Sequence, residues 1–152
     1  MGAAPAFRPF GLAHLVVIAL TVSLPFVLAA FVRKSRWPRS ERLIGRFFAL
    51  LLLMNYVGFE IYLAATEGLV WQKALPFQLC DWAMVAIIVA FLTGRERWLE
   101  VAYFWGIGGT LQAILTPDLK YAFPDVHFFT FFIAHSGVVV AIAFMMIVKR
   151  FR

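Results

Sequence analysis

Charge is what this chain has least of. Only 14% of its 152 residues are charged while 63% are hydrophobic, whereas a soluble domain carries about 25% charged residues. A water-soluble globular fold is thereby excluded, and the chain reads as an integral membrane protein. Cysteine is scarcer still. Cys80 is the only one, so no internal disulfide can staple the fold and no multi-cysteine zinc module can form. Acidic residues are few, eight against fourteen basic ones. The net charge of +6 does not point to nucleic acid, because the basic residues cluster between and after apolar runs rather than interleaving with base-stacking aromatics. There is no internal repeat, low-complexity linker or short-spaced metal-ligand motif, so the expectation is one domain over residues 1–152 with no cofactor and no metal.

What the chain does have is apolar runs of membrane-spanning length. Five are predicted, at about 10–32, 43–65, 76–93, 99–115 and 126–148, giving an all-α polytopic transmembrane helix bundle. Pro25 falls inside the first run and Pro76 suits the first turn of the third, where its missing donor does no harm. The connection holding Pro117, Asp118, Lys120, Pro124 and Asp125 reads as a structured turn. Alternating the spans puts eleven of the fourteen basic residues on one side, among them Arg33, Lys34, Arg36, Arg39, Arg42 and Arg46 of the first loop. The excess predicts a cytoplasmic carboxy terminus and an amino terminus outside.

Polar residues at membrane depth are costly and therefore informative. The stretch from Leu75 to Trp82 packs Gln78, Cys80 and Asp81 into the start of an apolar helix. Counting residues from the outer end of each span places His14, Glu60, Cys80, Asp81, Gln112 and His135 about 5 to 13 Å deep, all in the outer half of the bilayer. Each has a plain alternative. His14 fits a near-interface histidine bonded to a backbone carbonyl, Gln112 fits a bridge between helices, and Glu60 lies one turn after Tyr56, where a phenol could meet its carboxyl. Asn55 reads as interhelical glue, and Gly106, Gly108 and Gly109 as a close-packing surface rather than a phosphate cradle.

A thiol becomes a nucleophile when a histidine takes its proton. Cys80 and His135 are the one such pair at a common depth. Asp81 and Glu60 could fix the imidazole tautomer or carry protons, and helix-start amides near Pro76 and Phe77 could meet an oxyanion. Gln78, His14 and Gln112 complete the expected lining. Membrane lipids are the expected partners, with a homo-oligomer also open. Three other readings use the same residues: a metal or haem held by His14, Cys80 and His135, a proton-coupled solute path, or a structural and assembly protein whose polar layer only ties helices together.

The combination of His14 with the stretches LPFQLCDW at Leu75–Trp82, YFWGIGGTLQAILTPD at Tyr103–Asp118 and FIAH at Phe132–His135 resembles the YwaF-like bacterial integral membrane proteins. That family looks related to a vertebrate transmembrane acyltransferase of ether-phospholipid remodelling, and more remotely to the androgen-induced fatty-acid-ester hydrolases. The resemblance implies a multi-pass protein of the bacterial cytoplasmic membrane and a lipid acyltransferase or lipid-ester hydrolase, with Cys80 as acyl-accepting nucleophile and His135 as its catalytic partner. Such proteins usually continue with further spans, so the chain is expected to be shorter at its carboxy-terminal end than the family.

Overall fold

The computed structural model describes residues 6–35, 39–66, 68 and 78–150. Among them the architecture is all-helical, with one isolated antiparallel bridge between Ala6 and Tyr121. Helix α1 is Leu12–Lys34, α2 Ser40–Thr66 and α3 Leu79–Thr93. Helix α4, Glu96–Trp105, runs through a π-helical turn, Gly106–Thr110, into the short α5, Leu111–Leu115. Helix α6 is Val126–Arg150.

Three of these, α1, α2 and α6, are long and apolar enough to cross a bilayer, with mean hydropathies of 2.7, 1.8 and 2.4. Leu12, Leu20, Phe26, Phe31, Leu43, Phe47, Met54 and Ile61 are exposed on the outside of α1 and α2. A surface of that kind suits lipid and not water.

The predicted boundaries shift for local reasons. Helix α1 starts after Phe10, whose φ is 60°, with Gly11 as its cap. Its last turn carries Arg33 and Lys34, which suit the negative end of the helix dipole. Helix α2 opens at Ser40, so Arg42 and Arg46 of the expected basic loop are helical. The third span was expected from Pro76, which lies outside the described residues, as do Leu75, Phe77, Arg36 and Lys73. Helix α3 has 15 residues, about 22 Å at the usual rise and short of a roughly 30 Å hydrocarbon core. It ends where Gly94 takes a left-handed conformation, φ 69°, and donates to the Ala90 carbonyl at 2.8 Å. The expected fourth span is a broken helix that begins at Glu96 and is interrupted by the π turn.

Helix α6 is the axis of the bundle and touches every other helix. In lipid there is no hydrophobic drive between helices, so close packing of small residues has to hold them. Ala83, Ala86, Ala102 and Ala141 are all buried at the contacts, with Leu52, Ile87 and Ile142 interdigitated among them. A side chain at Gly106 would collide with Ile142, and one at Gly109 would press on Leu79, whereas Gly108 faces open space. Two of the three glycines thus act as the close-packing surface expected of them.

At one end, Glu96 and Lys149 join α4 to α6 through a 2.8 Å ion pair, and Ala29 and Val32 of α1 pack near Phe144 and Val148. At the other end the turn before α6 folds back on the amino-terminal segment. The Phe7 N–H donates to the Lys120 carbonyl at 3.2 Å, and the Asp125 N–H to the Ala122 carbonyl at 3.0 Å.

Candidate functional site

At that second end, α2, α3, the π turn and α6 enclose a cavity of about 210 Å³. Its polar lining consists of Asn55, Tyr56, Glu60, Gln78, Cys80, Asp81, Thr110, Thr130 and His135. Five of the seven residues singled out from sequence therefore share one space: Cys80, Asp81, His135, Glu60 and Gln78. They meet because α2 ends, α3 starts and α6 starts at the same level.

The first turn of α3 positions the thiol. Gln78 is the helix cap, and the Asp81 carboxylate accepts from the Gln78 N–H at 3.2 Å, satisfying one of the helix's orphan donors. Cys80, between these two, is half-buried and donates its S–H to Gln78 Oε1 at 3.5 Å. The Asp81 carboxyl lines the same cavity as Cys80, Glu60, Tyr56 and His135.

The imidazole of His135 is oriented by its own helix. Nδ1 lies 2.7 Å from the Phe131 carbonyl. A carbonyl only accepts, so Nδ1 carries the proton and Nε2 keeps its lone pair in the neutral ring. Among the described residues nothing bonds to Nε2. The ring also stacks on Phe131, with centroids 4.1 Å apart. This corrects the expectation that Asp81 or Glu60 fixes the tautomer: a backbone carbonyl four residues back does so.

His14 and Gln112 lie outside the cavity, against the expectation that they line it. His14 is 1% exposed and both nitrogens are engaged. Phe10 N–H donates to Nδ1 at 2.9 Å, so Nε2 is the protonated nitrogen and donates to the Ile114 carbonyl at 2.8 Å. Phe7, Phe10 and Phe132 surround the ring. The plainer alternative, a histidine bonded to a backbone carbonyl, is the one the structure has. Gln112 is exposed and donates to Thr116 Oγ1 at 2.8 Å within its own helix turn, so it does not bridge helices. With His14 committed elsewhere, the trio His14, Cys80 and His135 does not converge on a metal or haem. Among the described residues no three His, Cys, Asp or Glu side chains do.

Asn55 meets its expected role, donating from Nδ2 to the Thr130 carbonyl of α6 at 3.0 Å, and it lines the cavity as well. Sequence reasoning passed over Thr110, which is fully buried against the cavity with no partner for Oγ1. Its signal was its place at the end of a glycine-rich run, which read only as packing. The helix-start amides near Pro76 and Phe77, proposed as oxyanion donors, lie outside the described residues.

Residues 9–152 match the model of the TMEM164 family. The chain is also 28% identical over 128 residues to an uncharacterized protein of Treponema pallidum (strain Nichols), an alignment that covers 83% of this chain and 50% of that protein. The chain thus spans about half the length of the relative it matches. No solved structure matches it.

Proposed function

The chain belongs to the TMEM164 family, and on that premise we propose that it is a membrane-embedded lipid acyltransferase or lipid-ester hydrolase working through Cys80 and His135. The observation that carries this reading is the cavity that the one thiol shares with an imidazole whose Nδ1 donates to the Phe131 carbonyl, which leaves Nε2 with its lone pair and, among the described residues, without a partner. In the first step the Cys80 S–H leaves Gln78 Oε1 and passes its proton to His135 Nε2. The thiolate then adds to an ester carbonyl, the ester C–O bond breaks, and the imidazolium returns the proton to the departing alkoxide. The acyl group is left as a thioester on Cys80. An acceptor hydroxyl, or water, then takes it by the same proton route in reverse. Glu60 and Asp81 contribute negative charge that stabilises the transient imidazolium.

Membrane lipids supply the ester in this reading, which the cavity's place at the end of α2 and the start of α3 supports. The excess of basic residues at the opposite end supports a cytoplasmic carboxy terminus, with the cavity in the outer half of a bacterial inner membrane. The YwaF-like resemblance carried by LPFQLCDW and FIAH points the same way.

An acyl-transfer probe incubated with the purified full chain should modify Cys80, located by peptide mass spectrometry, and Cys80→Ala should remove the label. Equal labelling of parent and Cys80→Ala would end the nucleophile assignment.

A further inference from the structure

The chain has six threonines, and five of them behave alike. Thr21, Thr66, Thr93, Thr116 and Thr130 each donate their hydroxyl to the carbonyl four residues back, at 2.7 to 3.1 Å. This is the ordinary way for a helical threonine to satisfy its hydroxyl away from water. Thr110 alone does not. It is 0% exposed, Oγ1 has no partner among the described residues, and the residue lines the cavity of Cys80 and His135.

The exception falls in the π turn. The carbonyl four residues before Thr110 belongs to Gly106, and in the π turn it accepts the Leu111 N–H instead. The turn is also clamped. Gly106 sits against Ile142 of α6 and Gly109 against Leu79, the residue next to Cys80. An unsatisfied donor thus lines the same cavity as the thiol, in a turn packed against Leu79, the residue next to Cys80. Burying a hydroxyl without a partner is unfavourable, so the position is explained by a partner that arrives with the ligand.

We propose that the Thr110 hydroxyl binds the carbonyl oxygen of the acyl ester in this cavity and donates to it more strongly as that oxygen gains charge during attack by Cys80. The proposal rests on the preceding reading of Cys80 as nucleophile. No bond to Thr110 forms or breaks, and its proton stays on Oγ1.

The test uses the full chain in detergent with a medium-chain p-nitrophenyl ester, following p-nitrophenol release, and in parallel the alkylation of Cys80 by iodoacetamide, which develops no oxyanion. Thr110→Val should slow ester cleavage by about 100-fold or more, the usual consequence of losing one such donor, while alkylation stays at the parental rate. Thr110→Ser, which keeps the hydroxyl, should restore most of the cleavage rate. Cleavage by Thr110→Val at the parental rate, while Cys80→Ala is inactive, overturns the role of Thr110 and leaves the nucleophile standing. A Thr110→Val variant slowed equally in both reactions also overturns it, by showing a distorted thiol. Release no faster in the parent than in Cys80→Ala brings down the nucleophile, and this proposal with it.

Discussion

His14 and His135 stand at the same end of the bundle, and Phe132 of the helix that carries His135 packs on the His14 ring. They differ in how many ring nitrogens the protein satisfies. His14 has both engaged, by a backbone N–H and a backbone carbonyl, and lies among phenylalanines. His135 has one engaged and, among the described residues, keeps the other unbonded in a cavity with a thiol and two carboxyl groups. Residue type is the same, and both were expected in one layer. Structural and chemical roles separate on what the second nitrogen faces.

The comparison breaks most visibly at His135. Replacing it with Ala should lower the rate of Cys80 acylation by about 100- to 10,000-fold, the range for losing a positioned base, while leaving thermal unfolding in detergent little changed. His14→Ala should do the reverse. It deletes a fully buried ring and strands the Phe10 N–H and the Ile114 carbonyl, at a cost of about 2 to 4 kcal/mol. Its unfolding midpoint should fall by several degrees while acylation per folded molecule is retained. If His14→Ala abolished acylation in a fully folded sample, the division between the two histidines would be wrong.

A smaller effect sharpens the same contrast from the packing side. Gly106→Ala puts a methyl onto the flexible end of Ile142, an overpacking worth about 1 kcal/mol if Ile142 turns aside. Because the turn also sets Thr110, acylation should fall more than stability does. A variant that lost stability alone would detach the π turn from the site.

An expected depth follows from sequence, since charge excess and run length give each span an orientation and the helical rise gives a residue's distance from the span end. That reasoning put His14, Glu60, Cys80, Asp81, Gln112 and His135 in one layer, and five of the seven expected lining residues do share a cavity. Direction around the helix axis could not be read. In a soluble helix a polar face marks that direction, but α3 between Trp82 and Leu92 is apolar on every side, and α1 offers only Thr21 and Ser23 between His14 and Arg33. His14 and Gln112 therefore lie outside the cavity. The tautomer of His135 was hidden for another reason: its partner is the Phe131 carbonyl, a group every residue has. The π turn was hidden because three glycines in GIGGT signal close approach equally well with ordinary or shifted hydrogen bonding.

The third histidine gives the mildest prediction and the one with a pH signature. His127 shares neither environment. Its backbone N–H and its ring Nδ1 both lie 2.8 Å from Asp125 Oδ1, at the mouth of α6. The backbone N–H first, and the ring beside it, hold the Asp125 carboxyl below the usual carboxylate range. A carboxylate depressed in this way stabilises the folded state fully above its unfolded pKa of about 3.9, and the contribution disappears as pH falls through the lower folded value. Solvent reaches the pair, so the contribution should stay below about 1 kcal/mol. Comparing the unfolding midpoints of the parent and Asp125→Asn in detergent should show a gap that is constant near neutral pH and closes under acid conditions. A gap that widened on acidification would reverse the sign of the argument. One that never existed would reduce the contact to a crossing of chain segments with no energetic role, and would leave His14 as the histidine that secures this end of the bundle.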